Sequence, residues 1–570
     1  MRQESEIYQP PLQMIELHNR TVLRARTPFH RHTDSLAEQL FLHEMSTAPW
    51  AWLLLLLPLF LHWCATLFGA NANRARKNHQ QQQRDGHCLP PPSPPALPVL
   101  GHLHLVGSLP HVSLRGLAAR HGPDLMLLRL GSLSVLVVSS PRAAEAVLRT
   151  HDHVFASRPH SLVGEIVLYG PSDVGFAPHG DSWRKARKLI TTHLLGARRV
   201  QSFRRAREEE VGVAVARVAE AAAAGAGAVD VGELLGSFAN DLACRVVMGA
   251  SSSSSRREGG RNRLFRQLVC DTTPLLAGFN FEELFPFLAR FGVLGKAVRA
   301  RSERLRRRWD ELLDRLIDDH ESKYESMASA SDPEDHDDFI HVLLSVRQDY
   351  GLTREQMKGL LLDVFVGGID SVSSTLEFTI AELMRHPRVM RKLQAEVRNN
   401  TSRGQEIVRE DDLKSMAYLR AVTAESFRVH HVTPLLAPHL SMSGCSIDGY
   451  AIPAGVQVLI NAWAIGRDAR CWGDDAEEFV PERFMDGGSA ANVSFKGGDF
   501  QFLTFGSGRR MCAGMNYAVA TVEVMLANLV HRFDWELPPG KESRDIDMSQ
   551  VFGLVVRRKE KLLLVPKLRA

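Results

Sequence analysis

The stretch Phe505-Gly506-Ser507-Gly508-Arg509-Arg510-Met511-Cys512-Ala513-Gly514 is a glycine-rich loop with two arginines and one cysteine. Apolar residues in the following segment, 515–533, recur at helical spacing, which predicts a helix that begins just after the cysteine. Backbone N–H groups at a helix N-terminus lack intrahelical partners and favour negative charge. This position biases Cys512 towards the thiolate, the form that binds metals, and makes it a candidate metal ligand.

The same loop fills every fixed position of the pattern Phe-x-x-Gly-x-Arg-x-Cys-x-Gly, with Phe505, Gly508, Arg510, Cys512 and Gly514. It resembles the haem-binding loop of the cytochrome P450 family. The resemblance implies haem b as cofactor, Cys512 as the proximal thiolate ligand of its iron, and Arg510 as the partner of a haem propionate. Thr504 and Ala513 stand where plant members usually have proline, a change that affects the stiffness of the loop rather than ligation.

Composition narrows the class of protein. The chain has 570 residues, of which 44% are hydrophobic and 24% charged, as in globular proteins. Its net charge is only +4, and no dense basic tract with interleaved aromatic residues appears, which argues against nucleic-acid binding. The seven cysteines are scattered without a Cys-x-x-Cys pair, which argues against a disulfide framework or zinc site and indicates a reducing compartment.

The N-terminal region predicts a membrane anchor. Residues 1–44 are polar and irregular, and we expect a disordered extension. Residues 45–70 contain ~20 predominantly apolar residues, enough to span a bilayer core. Basic residues follow this segment in the basic and proline-rich linker 71–98, so the positive-inside rule places residues 99–570 in the cytosol. Resemblance to plant microsomal members implies a single-pass protein of the endoplasmic reticulum membrane.

The pattern of the remaining chain is mostly helical as far as Asn400. A short hairpin is expected at 126–130 and 134–138, with loops at 157–181 and 251–260. Strands are expected at 450–460 and 562–565. The fold implied by the resemblance is mainly α with a smaller β-rich lobe, the cytochrome P450 fold, with haem between the longest helix and the cysteine loop.

The longest predicted helix begins at Thr353, which forms a capping-box pattern with Gln356, and runs to His386. That is about 33 residues, or roughly 50 Å. Two adjacent glycines, 367 and 368, interrupt it at a cost of ~1 kcal/mol each, so a packing kink is one interpretation. The family resemblance implies instead a widened turn that admits O₂, with Asp370 and Ser371 relaying protons. Ser371 stands where the family usually has threonine.

Further motifs that resemble those of the cytochrome P450 family occur along the chain. Trp183 and Arg187 share one helix face at i, i+4, and in the family both reach a haem propionate. His439 occupies a position that often holds a propionate-binding arginine. Glu425 and Arg428 stand at i, i+3, late in a helix that is expected to begin near Glu410. With Arg483 they match the family's buried Glu–Arg–Arg network under the cysteine loop.

The resemblance also implies residues of the substrate pocket. These belong to the long helix, to the segment 432–438 and to the turn before the last strand: Phe365, Gly367, Thr433, Leu435, Leu436, Phe552 and Leu554.

The implied reaction is monooxygenation, in which one oxygen atom of O₂ enters an apolar substrate and the other leaves as water. No Gly-x-Gly-x-x-Gly follows a strand to hold a dinucleotide, so electrons come from outside the chain. Microsomal members of the family receive them from NADPH-cytochrome P450 reductase. The alternatives are a haem-thiolate enzyme that catalyses rearrangement or dehydration, a haem sensor or carrier without catalytic activity, and a membrane-anchored structural protein. Asp370 and Ser371 argue against the first two, and the Cys512 loop argues against the third.

The substrate class rests on a narrower resemblance. The stretches 101–107 and 551–565 are similar to grass enzymes of the benzoxazinoid pathway, which hydroxylate indole and indolinone. A small indole or indolinone is therefore expected as the substrate. Other plant metabolites, namely flavonoids, terpenoids and fatty acids, remain alternatives.

Overall fold

The computed structural model describes residues 88–225, 227–249, 256–286, 293–327 and 338–569. The predicted extension 1–44, the predicted membrane span 45–70 and the linker as far as residue 87 lie outside these residues. The described end of the linker is bonded to the domain, since the Leu89 carbonyl accepts a hydrogen bond from Ala451 N at 2.7 Å. The Pro92 carbonyl likewise accepts one from Leu127 N at 2.8 Å. The folded backbone therefore reaches back at least to Leu89.

Helices make up most of the described chain. In chain order they are α1 (Pro110–His121), α2 (Pro141–Glu145), α3 (Leu162–Val167), α4 (Asp181–Leu189), α5 (Ala197–Ser202), α6 (Arg204–Ala223), α7 (Val231–Met248), α8 (Arg256–Leu276), α9 (Phe281–Leu284), α10 (Val293–Met327), α11 (Phe339–Ser345), α12 (Arg347–Tyr350), α13 (Arg354–Gly368), α14 (Asp370–Arg385), α15 (Pro387–Asn400), α16 (Ala417–Val429), α17 (Ala462–Ile465), α18 (Ala469–Trp472) and α19 (Met515–Arg532). The fold is thus mainly helical, as expected.

Within the described residues the strands are short and form four small sheets. They are β1 (Leu125–Leu130), β2 (Leu133–Val138), β3 (Val229–Asp230), β4 (His439–Leu440), β5 (Cys445–Ile447), β6 (Tyr450–Ile452), β7 (Gln457–Ile460), β8 (Phe533–Glu536), β9 (Gln550–Val551), β10 (Arg557–Arg558) and β11 (Leu563–Leu568). The largest sheet has the order β1-β2-β7-β4, in which β2 and β7 are parallel and the other pairs antiparallel. The other sheets are β3-β11-β8, β5-β6 and β9-β10.

The long central helix was predicted correctly at both ends. Thr353 Oγ1 accepts from Gln356 N at 3.2 Å, and Gln356 Oε1 accepts from Thr353 N at 3.0 Å, which completes the capping box. The helix breaks at Ile369, directly after the two glycines, and divides into α13 and α14. Within the described residues the stretch Arg354–Arg385 is long and apolar enough to span a membrane, but 67% of its most apolar window is buried inside the domain. It is the core helix of the fold.

Three sequence expectations about loops and element boundaries were wrong. The single strand expected at 450–460 is two strands, β6 and β7, because the chain turns between them at Gly455, where φ is +81°. The helix expected from about Glu410 begins at Ala417, after a 3₁₀ turn at Asp412–Ser415. The loop expected at 157–181 contains α3, which is capped by the Ser161 hydroxyl.

A buried ion network ties α16 to the segment that precedes the cysteine loop. Arg428 donates to both carboxylate oxygens of Glu425 at 2.7 Å, and Arg483 Nε donates to Glu425 Oε1 at 3.1 Å. Arg428 also donates to the carbonyls of Gly466 and Ala476 at 2.7 and 2.6 Å. All three charged side chains are buried, as expected for mutually paired charges.

An aromatic cluster connects the same helix to the cysteine loop. Phe427 of α16 packs edge-on against Phe505 with ring centroids 5.4 Å apart, and Phe495 contacts both rings. Phe502 packs edge-on against Phe495 at 5.7 Å. The position of the loop is therefore set by the ion network on one side of α16 and by aromatic packing on the other.

Candidate active site

The cysteine loop is a tight turn that leads into α19. Gly506 and Gly508 adopt left-handed conformations with φ of +67° and +69°. A Cβ on Gly508 would lie 2.2 Å from the Leu148 carbonyl oxygen, so no other residue fits at this position. Cys512 N donates to the Phe505 carbonyl at 2.9 Å and closes the loop three residues before α19 begins. The sequence prediction for the start of this helix was correct.

Cys512 lies on the wall of a cavity and is exposed to the space within it. Burial raises its pKa above the ordinary value, while the Gly514 N–H and the Arg187 guanidinium oppose the rise. The helix N-terminus was expected to favour the thiolate. Without a bound ligand, desolvation outweighs this effect and favours the neutral thiol. A bound cation at the sulfur would stabilise the thiolate directly.

The cavity has a volume of about 340 Å³, within the ~300–1,000 Å³ typical of small-molecule sites. It lies between the cysteine loop and the break in the long helix. Every residue that the sequence assigned to cofactor binding lines it: Trp183, Arg187, His439, Phe505, Arg510, Cys512 and Gly514. The structure thus brings together side chains that are separated by more than three hundred positions in the chain.

Three arginines concentrate positive charge on one side of this cavity. Arg187 Nη2 donates to the Met511 carbonyl at 2.6 Å. Arg510 donates to the carbonyls of Ala156 and Ala177 at 2.7 and 2.6 Å, and its guanidinium lies 4.0 Å from the ring centroid of Trp183. The third, Arg158, was missed by the sequence analysis because no motif contains it.

Arg158 is buried and donates to the carbonyls of Gly175 and Ala437 at 3.0 and 2.7 Å. Burial, followed by repulsion from Arg510, lowers its pKa to about 9. Within the part of the chain that the structure describes, none of the three arginines forms an ion pair with a carboxylate. A ligand with two carboxylates and a metal that accepts a thiolate fits this donor set, and haem b has both.

His439 lies on the cavity wall but has a different role from the expected arginine. Its Nδ1 is 2.8 Å from the Phe155 carbonyl, and burial lowers its pKa to about 3, so the ring is neutral at physiological pH. Because a neutral imidazole supplies no charge, the third positive group at the cavity is Arg158 rather than His439.

The break in the long helix faces the cavity. Gly367, Gly368 and Ser371 line it, and the Ser371 hydroxyl donates to the Gly367 carbonyl at 2.6 Å. Thr375, one turn later, also lines the cavity and donates to the Ser371 carbonyl at 2.7 Å. Hydroxyl groups therefore border the cavity along this helix.

Asp370 does not line the cavity. Its carboxylate is buried and forms an ion pair with Arg557 of β10, and it accepts a hydrogen bond from Thr273 Oγ1 at 3.1 Å. Attraction to Asp370 keeps the pKa of Arg557 above its ordinary value despite burial. Direct contact between Asp370 and the cavity requires this ion pair to open.

The residues expected in the substrate pocket divide into three groups: four line the large cavity, two line a smaller pocket, and one lies in the core. Gly367, Thr433, Leu436 and Leu554 line the large cavity. Leu435 and Phe552 line a smaller apolar pocket that shares Thr433, Leu436 and Leu554 with the large cavity.

Phe365 was assigned to the substrate pocket incorrectly. It is fully buried in the core, where its ring stacks on Phe265 with centroids 4.2 Å apart. It occupies the face of α13 that turns away from the cavity, because residues two positions apart on a helix face different directions.

Comparisons with known proteins show which proteins this chain resembles. Residues 91–565 match the family model described as Cytochrome P450. The chain is 52% identical to an indole-2-monooxygenase of Zea mays over 533 residues, which cover 92% of this chain and 97% of that protein. It is 48% identical to a 3-hydroxyindolin-2-one monooxygenase and 47% identical to an indolin-2-one monooxygenase of the same organism, over 85% and 87% of this chain and 89% and 91% of those proteins. A zebra fish cytochrome P450 solved with progesterone superimposes with a TM-score of 0.65 at 25% identity, over 81% of this chain and 99% of that one.

Cys512→Ala is predicted to abolish the thiolate-type Soret band of the reduced carbonyl complex and to reduce turnover below detection. No neighbouring side chain among the described residues supplies a soft anionic ligand. Cys471→Ala, which removes an exposed cysteine at the end of α18, is the matched control and should retain both properties. Retention of the thiolate band by Cys512→Ala would exclude Cys512 as the ligand.

Proposed function

This chain belongs to the cytochrome P450 family, and from that premise we propose that it oxygenates a small nitrogen heterocycle of the indole or indolinone type. The protein is a haem-thiolate monooxygenase, an oxidoreductase that uses O₂. Haem, held by Cys512 and by Arg158, Arg187 and Arg510, supplies the O₂ activation and the oxygen transfer to carbon.

The observation that carries the substrate proposal is the similarity to three maize monooxygenases. At 47% to 52% identity over at least 85% of this chain, they are named for indole, indolin-2-one and 3-hydroxyindolin-2-one. These compounds share one flat bicyclic skeleton with a ring nitrogen. A chain related to all three is expected to bind the same skeleton.

The shape and polarity of the site favour the same class. The smaller pocket beside the cavity is lined mainly by aliphatic and aromatic side chains, among them Leu284, Leu435 and Phe552. Such walls bind a flat apolar ring because each Å² of apolar surface removed from water stabilises the complex by ~25 cal/mol. Polar groups are few, so a small heterocycle with one N–H fits better than a polyhydroxylated molecule.

In this proposal the chain contributes proton delivery. The Ser371 hydroxyl lies on the cavity wall at the helix break, where its oxygen can accept a hydrogen bond from water, and it can donate to water once its bond to the Gly367 carbonyl is released. Asp370, adjacent in sequence, is the nearest acid on this helix, but its carboxylate is paired with Arg557. We infer that a proton reaches Ser371 from Asp370 through water when the Asp370–Arg557 pair opens.

Ser371→Ala is predicted to leave haem incorporation intact and to lower product formed per NADPH oxidised on the order of tenfold, because proton delivery is impaired while electron delivery is not. Asp370→Asn should have the same effect. The measurement is the ratio of product to NADPH consumed, with released hydrogen peroxide as the complementary readout.

Ser373→Ala is the matched control for Ser371→Ala. The Ser373 hydroxyl also donates to a helix carbonyl, Ile369 O at 3.0 Å, but the residue is absent from the cavity wall. Coupling in this variant should equal that of the parent. If Ser371→Ala and Asp370→Asn also equal the parent, the helix break serves packing alone.

We propose NADPH-cytochrome P450 reductase as the electron donor. The face of α4 next to Arg187 exposes Lys185 and Lys188 to solvent, and neither forms an ion pair within the described residues. Positive charge there would steer an acidic flavoprotein domain towards the side of the cavity that holds Cys512.

The substrate proposal is tested by adding indole, indolin-2-one and 3-hydroxyindolin-2-one to the purified holoenzyme. At least one is predicted to displace water at the iron, seen as a blue shift of the Soret band, and to yield a hydroxylated product with NADPH and a plant reductase. Omission of the reductase should abolish turnover. A flavonoid, a terpenoid and a fatty acid serve as comparison ligands, and a shift or product with these alone would overturn the proposal.

We propose that residues 45–70 anchor the protein in the endoplasmic reticulum membrane, which the microsomal character of plant relatives supports. Removal of residues 1–44 is predicted to leave the protein in the membrane fraction, whereas removal of 1–78 should release most of it, since the apolar segment supplies the affinity. Sedimentation after expression in yeast measures the distribution. If the protein without residues 1–78 stays in the membrane fraction, another surface of the protein binds the membrane.

A further inference from the structure

Two acids near the cavity, Asp173, which is buried, and Asp363, which is half-buried, have no role in the chemistry described above. Asp173 lies in the loop that precedes α4, and Asp363 lies on α13, one turn before Gly367. Asp173 is fully buried, and its Oδ1 has no hydrogen-bond partner among the described residues. Asp363 borders the cavity. Buried carboxyl groups without a cationic partner are costly, so their presence calls for a physical reason.

Both carboxyl groups bind the backbone of the same short loop, residues 173–177. Asp363 Oδ2 accepts a hydrogen bond from Val174 N at 2.6 Å, and Asp173 Oδ2 accepts one from Phe176 N at 2.6 Å. They converge on Gly175, where an added Cβ would lie 3.3 Å from Asp363 Oδ1 and 3.6 Å from Asp173 Oδ2. Asp363 therefore holds the loop to the long helix, and Asp173, itself a residue of the loop, closes its turn.

The carbonyl groups of this loop hold the arginines of the cavity. Gly175 O accepts from Arg158 Nε at 3.0 Å, and Val174 O accepts from Arg510 Nη1 at 3.1 Å. Ala177 O accepts from Arg510 Nη2 at 2.6 Å. The N–H groups of the loop thus point to the acids and its carbonyls to the arginines. A shift of the loop would move the arginines that face the cofactor.

The charges around the cavity favour a single negative charge on these two acids. Arg158, Arg187 and Arg510 bring three positive charges, haem b would bring two carboxylates, and the Cys512 thiolate would balance the ferric centre, so one further negative charge makes the set neutral. One oxygen of each carboxyl group lies within 3.6 Å of the same point, the position of a Cβ on Gly175. Two carboxyl groups this close repel each other when both are ionised, so a pair that holds one proton supplies that single charge.

We propose that Asp173 and Asp363 share one proton and, as a singly charged pair, position the 173–177 loop so that Arg158 and Arg510 meet the carboxylates of haem. They are positioning residues, since they act on the cofactor through the loop and the arginines. The charged groups that face the pair are Arg510 of the cysteine loop and Arg158, and Arg187 of α4 acts on both arginines.

The proposal makes cofactor retention depend on pH in a stated direction. Burial raises the pKa of both acids, that of Asp363 to about 7, and repulsion from Asp363 adds to the rise at Asp173. A raised pKa means that the shared proton is held below about pH 7 and lost as pH rises through that value. Haem retention is therefore expected to be strongest below neutral pH and to weaken above it.

The experiment measures the rate of haem transfer from the holoenzyme to apomyoglobin between about pH 5 and about pH 8, below the pH at which Arg158, with its pKa of about 9, would lose its charge. In the parent the rate should rise on the order of tenfold across this range, the equivalent of about one pKa unit. Asp363→Asn, whose amide oxygen still accepts from Val174 N but cannot ionise, should show a flat profile. A parent profile without pH dependence, or a parallel rise in Asp363→Asn, would overturn the proposal.

Glu377→Gln is the matched control. Glu377 lies on α14, and burial raises its pKa to about 7 as well, but it pairs with Arg558 at 3.4 Å and is not on the cavity wall. Its variant should follow the parent profile. If Glu377→Gln becomes flat, the titrating group is not the Asp173–Asp363 pair.

A second measurement detects the proton directly. The infrared spectrum of the parent minus that of Asp363→Asn should contain the C=O stretch of a protonated carboxylic acid, and this band should vanish as pH rises. If Asp363→Asn binds no haem, Asp173→Asn removes the other half of the pair and takes its place. The infrared difference is readable whether or not the variants bind haem, and the absence of the band would show that the pair carries no shared proton.

Discussion

The paired charges of Glu425, Arg428 and Arg483 are the constraint on which the cysteine side of the cavity depends. Glu425 accepts from Arg428 of its own helix, from Arg483 and from Val480 N at 2.7 Å, so it joins α16 to the stretch 480–483. Loss of one partner in such a pair costs ~3–5 kcal/mol, because the other charge remains buried. A network of ion pairs and hydrogen bonds of this kind has few alternative arrangements. It therefore fixes the direction in which the chain enters the cysteine loop.

Local chemistry made much of the fold predictable. The capping box at Thr353, the two glycines of the long helix and the helix after Gly514 each depend on residues a few positions apart. Residues that a family motif contains, such as Trp183 and Arg187, also line the cavity. In these features the contacting residues are close together in the sequence, so the sequence pattern alone is enough to predict them.

The remaining features depend on contacts between distant segments. Asp370 was expected at the cavity, but it pairs with Arg557, 187 positions later, which no local pattern reveals. Phe365 matches the apolar character of a pocket wall, yet packing against Phe265 places it in the core. The buried acids and Arg158 belong to no motif, and the direction of the Cys512 pKa follows from burial, which a sequence does not measure.

The cluster of arginines around the cavity also has a consequence for the amount of enzyme in a cell. Like charges in a confined space repel, and a cofactor with two carboxylates that binds only the folded chain relieves this repulsion. Such a ligand stabilises the fold by RT ln(1 + [L]/Kd), about 4 kcal/mol at a thousandfold excess over Kd. When the haem supply is low, a larger fraction of the chain unfolds transiently and is exposed to proteases. The abundance of the protein would then follow the rate of haem synthesis as well as that of its own translation.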